Sequence, residues 1–591
     1  MVKVTIGVPV YNSEKFIKQG LDSFANQTMD KKDYEVLCVD DCSTDNSVEI
    51  INSYNKKMNV RVLQLPENSG GPGAPRNKVI EEAKGEYIFF VDSDDYIHEN
   101  SLTNMYNFAK ENEADVLLVK MKGINGRGVP QSMFKATEPN VDLYDSRLIY
   151  TLSPTKLFKT ALLRENNISF PVGLKAAEDQ IFTMRAYLKS KVISVLSNQD
   201  YYYATLREGE HMNNAYVDPE EFLKIMSDIV DEIYLADETR ERKNNLVSSF
   251  LDRHFIFSRT HNFSIKNTTD DQKEEWMRAL SNFLNNHVPK EVDSLTAADV
   301  YPRIVLARNQ DLEKYQKFEM ALKTNEVNTV IDNGQIFAHF NFLGDYPEVT
   351  KVNFTKLNKM VHKLKHIKLG HDRIIFTCQV SHSKLTANQN KKQKINAVFV
   401  HRDKKEEKYI TPVVRQPLTQ NYTFEVPYDG LINSKGDLGT WDLFIESEVE
   451  GFMLRGRIGN NREKYPYQAE TSYLGSHHLF NYRLTPYFTK PHNNFSIYTR
   501  ELEALEKKGK FEYDKKTNQL LFKYPEFNLV LPVNTVFTFE TKSGEYDIWP
   551  QHIKWGKEGT TILMESSLAT KLRDFRGFIF SSAKLNGIPI K

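Results

Sequence analysis

Short apolar runs alternate with amphipathic segments along about the first 120 residues. Val4 to Val10 precedes a helix-like Ser13 to Asn26, and Tyr34 to Val39 precedes Ser43 to Asn55. Val60 to Leu65 precedes Pro75 to Ala83, and Tyr87 to Val91 closes the series. That order predicts βαβ units around a parallel sheet. In such sheets ligands bind beyond the carboxyl ends of the strands. Pro9, Asp41 and Asp92 each stand at such an end, so the fold would gather them on one edge.

The texture changes twice afterwards. Asp218-Pro-Glu-Glu221 reads as a helix start, with a capping Asp, Pro in the first turn and acidic residues near the positive end of the dipole. Phe222, Ile225, Met226, Ile229 and Ile233 follow at helical spacing, and similar patterns recur at Trp276 to Leu284 and Leu312 to Leu322. Beyond residue 330 the runs become strand-like, as in Arg373 to Val380, Ile395 to His401, Trp441 to Glu446 and Phe452 to Ile458. Polar turns separate them without intervening helices, which predicts β-sandwich modules. The expected organisation is a catalytic α/β domain over 1–217, a helical linker over 218–328, and β-sandwich modules over 329–475 and 476–591. A chain of 591 residues supports roughly two to four domains.

Lys+Arg and Asp+Glu both number 78, so no basic excess points to nucleic acid as a partner. Cys38, Cys42 and Cys378 are too few for a disulfide framework, and no matching Cys or His pair makes the first two a zinc site. No signal-peptide pattern and no membrane-spanning apolar run occurs. The expectation is a soluble cytoplasmic protein, at most peripheral at the inner face of the cell membrane.

Chemistry concentrates in five places. In Phe89-Phe-Val-Asp-Ser-Asp-Asp95, Asp92 and Asp94 are two apart and point the same way on extended backbone. With no cation nearby in sequence they repel one another, unless a divalent ion carrying a diphosphate neutralises them. Mg²⁺ or Mn²⁺ is commonly held by one or two carboxylates plus substrate phosphates. A solvated acidic turn is the alternative. Asp40-Asp41 ends another strand and would either accept hydrogen bonds from a uracil or ribose or cap the following helix. Asn68-Ser-Gly-Gly-Pro-Gly-Ala-Pro-Arg-Asn77 is a glycine-rich loop opening a helix, without the Gly-Lys-Ser/Thr ending of a P-loop. Arg76 falls in the first helical turn, where a cation is unfavourable unless it faces a phosphate or carboxylate. Glu178 and Asp179 begin a helix with Ile181, Phe182 and Met184 on its apolar face. Asp179 would either cap that helix or serve as the general base for an acceptor hydroxyl. Arg127, Arg207 and His211 lie in loop-like sequence, as leaving-group stabilisers or as surface charges.

Taken together, Pro9-Val-Tyr-Asn12, Val39-Asp-Asp41, the 68–77 loop, Val91-Asp-Ser-Asp94 and Glu178-Asp179 resemble family 2 glycosyltransferases of the GT-A fold. Gly70-Gly-Pro-Gly73, Met121 to Phe134, Ala176-Ala-Glu-Asp-Gln180, Tyr201 to His211 and Tyr482-Arg-Leu-Thr-Pro-Tyr-Phe-Thr-Lys490 narrow the resemblance to wall teichoic acid β-N-acetylglucosaminyltransferases of the TarS type. The resemblance implies transfer from UDP-N-acetylglucosamine to ribitol-phosphate units of teichoic acid. It implies donor contacts from Pro9, Asp41, Asn68, Arg76, Asp92, Ser93, Arg127, Glu178, Arg207 and His211. Asp94 would hold Mn²⁺ or Mg²⁺, Asp179 would be the base, and the last module would trimerise. The Gln-x-x-Arg-Trp motif of processive membrane synthases is absent. Another UDP-sugar or a glycerol-phosphate acceptor stays open. So do two other classes, a non-catalytic carbohydrate-binding scaffold and a nucleotidyltransferase.

Overall fold

A computed structural model describes residues 2–174, 177–207, 217–257, 269–369, 373–432, 435–462, and the strands and adjoining residues between 477 and 590 named below. The chain forms two units, 1–326 with 340–350, and 327–339 with 351–591.

The first unit is organised by a seven-stranded sheet. Its members are β1 (Val4–Val10), β2 (Tyr34–Asp40), β3 (Val60–Gln64), β4 (Tyr87–Phe90), β6 (Val116–Val119), β8 (Leu157–Lys159) and β9 (Ile193–Leu196), in the order β3-β2-β1-β4-β8-β6-β9. Strands β1 to β4 run parallel, and β1, β2 and β4 are mostly apolar and almost wholly buried because helices cover both faces. The sheet is mixed rather than parallel throughout. Strand β8 runs antiparallel to both β4 and β6. With three residues and no helix leading into it, β8 has too short a pattern to announce itself in sequence. A second small sheet joins β5 (Tyr96–Ile97), β10 (Tyr202–Thr205) and β7 (Met121–Ile124).

Helices α1 (Ile17–Ala25), α2 (Ser47–Asn52), α3 (Gly73–Glu82), α4 (Ser101–Glu111), α5 (Thr160–Glu165) and α6 (Glu178–Lys189) complete the α/β part. α1 and α2 each start four residues later than their periodicity predicts. Ser13 and Ser43 instead lock the intervening loops: Ser13 N donates to Ser47 Oγ at 2.8 Å, and Asn12 N donates to Ser43 Oγ at 2.9 Å.

Helix α7 (Pro219–Leu235) is capped by Asp218, whose carboxylate accepts from Glu221 N at 3.0 Å. Its buried face packs on the helix at Asp270–His287, with Phe222 and Trp276 at 6.1 Å between ring centres. Helix α8 (Arg240–Phe257) lies between them in sequence. Residues 340–350, expected in the first sandwich, belong to this unit. Leu343 and Val349 are buried, Tyr346 Oη donates to Asp311 at 3.0 Å, and Lys314 pairs with Asp345 at 2.5 Å.

The described residues of the second unit form β-strands and short helical turns. One sheet contains Met360–Leu369, Arg373–His382, Val414–Gln416 and Asn421–Pro427. The facing one is built around Lys394–His401 and Gly439–Val449. Burial alternates without a break along Arg373–His382, so Ile374, Phe376, Cys378 and Val380 enter the core with Trp441, Leu443 and Ile445. The strands Tyr482–Phe488 and Phe495–Glu501 extend the second of these sheets, since Gly439–Asp442 pairs with Ser496–Thr499. The first sandwich therefore runs past residue 475, and backbone pairing across the polar 459–475 stretch is why. Further on, Phe511 and Phe522 of one four-stranded sheet meet Phe537 and Phe539 of another at 5.2–6.3 Å, which makes a second sandwich core.

Candidate active site

A cavity of about 580 Å³ opens at the carboxyl ends of β1, β2 and β4. Pro9, Asp41, Asn68, Arg76, Asp92, Ser93, Asp94, Arg127 and Arg207 all border it. The backbone at its rim is under tension, since Asn12 and Cys42, just beyond β1 and β2, hold φ of 46° and 61°. Such left-handed residues persist where the surrounding structure holds them, often at functional sites.

Neither Asp40 nor Asp41 caps α2, whose N-cap is Asn46, and the two neighbours make different contacts. Asp40 accepts from Ser43 N at 3.1 Å and ties down the turn. Asp41 faces the glycine-rich loop, its carboxylate accepting from Ser69 N at 2.8 Å and Ser69 Oγ at 2.9 Å, while Asn68 Nδ2 donates to its carbonyl at 2.9 Å. Within that loop the glycines act differently from one another. Gly70 has φ of 78°, whereas a Cβ on Gly73 would lie 2.7 Å from the Pro171 carbonyl. Gly73 therefore serves the packing of α3 against 170–171 rather than approach to a ligand.

Arg76 is buried and does face carboxylates. Its Nη2 donates to Asp92 at 2.9 Å and its Nη1 to Glu178 at 3.5 Å, while its plane stands 5.4 Å over the Phe170 ring. Burial disfavours the charge, but Asp92, Glu178 and Asp179 more than offset it and raise the guanidinium pKa. Arg207 pairs with Asp94 at 2.5 Å and stacks 4.7 Å over Phe16. The cations that sequence proximity failed to supply to Asp92 and Asp94 therefore arrive from 16 residues before Asp92 and from the segment after β10. Ser93 Oγ shares a hydrogen bond of 2.8 Å with Ser13 Oγ. Asp95 turns inward to accept from Tyr202 Oη at 2.6 Å and Thr205 N at 2.8 Å. Burial, then the charges of Asp92 and Asp94, push its carboxyl up to about 7. Arg127 is exposed at the cavity mouth, in a turn where its N donates to Ile124 O at 3.0 Å.

Glu178 and Asp179 open α6 after Ala177, a non-glycine residue at φ 71°. The helix is pinned by Phe182, which stacks on Phe170 at 3.7 Å and meets Phe90 edge-on at 6.0 Å. Burial and then Asp179 raise Glu178 to about 7. Burial also raises Asp179, against the pull of Arg76, Arg253 and Lys156. Neither lines the cavity directly; Arg76 joins Glu178 to its wall. His211 lies outside the described residues.

Sequence reading missed Tyr202, Lys156 and Arg253. Lys156 precedes a strand too short to read. Arg253 had a usable signal, because it falls three residues after Phe250 and seven after Leu246, on the apolar stripe of α8.

Among the described residues no three His, Cys, Asp or Glu side chains cluster as a complete metal site. Asp94, which shares the cavity wall with Asp41 and Asp92, fits the mode in which Mg²⁺ or Mn²⁺ takes one carboxylate and completes its shell with phosphates and water.

Residues 5–177 match the profile of glycosyl transferase family 2, residues 219–319 that of the TarS linker domain, and residues 351–498 that of TarS C-terminal domain 1. The chain is 46% identical over 551 residues to the poly(ribitol-phosphate) beta-glucosyltransferase of Bacillus spizizenii, covering 93% of this chain and 86% of that protein. The chain belongs to the TarS-type family of poly(ribitol-phosphate) glycosyltransferases. It is 43% identical over 505 residues to TarS itself, the poly(ribitol-phosphate) beta-N-acetylglucosaminyltransferase of Staphylococcus aureus, covering 84% of this chain and 85% of that one. The crystal structure of S. aureus TarS 1–349 in complex with UDP-GlcNAc aligns with a TM-score of 0.55 at 49% identity, over 57% of this chain and 97% of that one. This TarS-type chain is thus a family 2 glycosyltransferase with a linker and C-terminal β modules. No helix among its described residues is long and apolar enough to cross a membrane.

Proposed function

We propose that this enzyme transfers N-acetylglucosamine from UDP-N-acetylglucosamine to ribitol-phosphate units of wall teichoic acid, with inversion to a β linkage. One observation carries the reading: Arg76 bridges Asp92 on the cavity wall and Glu178 beside Asp179, so donor pocket and base share one cation. Asp179, its basicity raised by burial, takes the proton of an acceptor hydroxyl as that oxygen attacks the anomeric carbon from the face opposite UDP. The bond from that carbon to the diphosphate oxygen breaks, and UDP departs. Arg127 and Arg207, with His211, offset the charge that develops on the leaving diphosphate. A Mn²⁺ or Mg²⁺ ion at Asp94 would supply further positive charge to that diphosphate.

Incubation with UDP-N-acetylglucosamine and ribitol-phosphate oligomers should release UDP and yield a β-linked product by NMR. Glycerol-phosphate oligomers should be poor acceptors. Absence of UDP release with any donor would sink the reading. A second donor, UDP-glucose, is favoured by the 46% identity to a glucosyltransferase, and preferential glucose transfer would select it. Excess EDTA, like Asp94→Ala, should abolish turnover; full activity in EDTA would remove the metal role.

The same reading has the C-terminal module assemble the enzyme as a homotrimer, presenting several active sites to one long acceptor and favouring rebinding. Because the strands up to Glu501 complete the first sandwich, truncation belongs after that residue rather than at 475. The truncated chain should sediment as a monomer and lose performance on long polymer more than on short acceptors. A full-length monomer would overturn the assembly role.

A further inference from the structure

Two cations that act on Asp179, Lys156 and Arg253, do not border the donor cavity. Lys156, just before β8, is buried; its Nζ donates to the Ser153 carbonyl and lies 5.9 Å from the Tyr187 ring centre on α6. Arg253 comes from α8 in the linker region, and its Nη1 donates to Gln180 Oε1 at 2.5 Å. Gln180 is the next residue after Asp179, in the first turn of α6. That turn follows Ala177, which is held in the left-handed region, and side-chain anchors fix its aim. Phe182 anchors it from the sheet side, and Arg253 anchors it from the linker side.

We infer that Arg253 is a positioning residue for catalysis, through which the linker helix α8 both aims the first turn of α6 and sets the charge environment of Asp179. This rests on Asp179 being the base. The groups facing that carboxyl are Arg76 from α3, Asp92 from the end of β4, Glu178 on its own helix, Lys156 from the segment before β8, and Arg253 from α8. Arg76 is already shared between Asp92 and Glu178. Burial lowers the Lys156 amine to about 7, so near neutral pH its charge is only partial. Arg253 is the contributor from outside the donor pocket whose charge persists across the working pH range.

Arg253→Gln keeps a donor for Gln180 but removes the charge, whereas Arg253→Lys keeps the charge and loses the planar fork. Because Arg253 stabilises the ionised carboxylate, its neutralisation should move the acid limb of the kcat–pH profile upward, by roughly half to one pH unit. The UDP-sugar Kd should stay within about twofold of wild type, since Arg253 does not border the cavity. Arg253→Lys should return the limb toward its wild-type position while kcat stays several-fold low. A limb unmoved in Arg253→Gln, or a donor Kd that weakens in step with kcat, would overturn the inference. Should the glutamine variant not fold, Lys156→Met provides the second test. It should move the limb the same way by a smaller amount, and an unmoved limb there would equally count against the inference. Asp179→Asn run alongside separates the two readings: if it retains transfer, the base assignment has failed; if it loses transfer while both neutral variants keep the wild-type limb, only the linker role has failed.

Discussion

Both units bury carboxylates next to arginines, and they do so with opposite charge balance. In the first sandwich Asp442 alone receives Arg402 at 2.7 Å and Arg457 at 3.0 Å, with Ser496 Oγ donating at 2.8 Å. Burial pushes that carboxyl up, but the arginines and the serine more than reverse it, so it sits below the usual range. Around the cavity of the first unit, Asp92, Asp94, Asp95, Glu178 and Asp179 share Arg76 and Arg207, and Lys156 and Arg253 act on Asp179 from outside the cavity lining. There Asp95 and Glu178 rise to about 7, and Asp179 also rises. A saturated carboxylate is a fastening, whereas a cluster short of cations holds groups ready to take a proton or to welcome added positive charge. The sandwich therefore uses arginine to finish a structure, and the α/β unit leaves work for substrate.

The contrast breaks first at Asp179. Asp179→Asn preserves size and should leave UDP binding intact while transfer falls by about two to four orders of magnitude. Measuring donor Kd beside kcat checks it, and near-normal transfer would return Asp179 to a capping role.

Arg76→Met comes next. Removing the cation shared by Asp92 and Glu178 leaves buried charge unpaired, at a cost of roughly 3 kcal/mol in denaturant unfolding together with lost donor binding. Arg76→Lys should not restore both, because one ammonium cannot span the two carboxylates as the fork does. Unchanged stability in Arg76→Met would mean the site does not depend on that pairing.

Asp442→Asn should have the smallest effect, about 1–3 kcal/mol at pH 7, because Arg402 is partly solvated. Its folded pKa is depressed, so its contribution is fully present above the unfolded value near 4 and is lost as pH falls through the lower folded one. The gap between variant and wild type should accordingly shrink below about pH 4 in unfolding measurements. No loss of transfer activity is expected, and a large one would blur the distinction between the two units.

Much of the scaffold was legible because period and burial speak locally. The runs at Val4–Val10, Tyr34–Asp40 and Tyr87–Phe90 are mostly apolar and buried almost throughout since helices cover both faces, and Arg373–His382 alternates because one face meets the core. The strand-end rule likewise places Pro9, Asp41 and Asp92 on one edge from the sequence alone. Asp218 declared its helix because a cap acts within its own turn.

What tertiary structure alone decided were partners distant in sequence. Nothing local could show that Asp94 pairs with Arg207, that Arg76 reaches Glu178 across 102 residues, or that Arg253 meets Gln180 across 73. Nor could it show the antiparallel turn of β8, or the return of 340–350 to the first unit. The residue types at the strand ends were a property of the sequence. Which of those charges are satisfied depends on how the loops and the linker helix close over them, because electrostatic energy follows distance in space and the dielectric around each group rather than order along the chain.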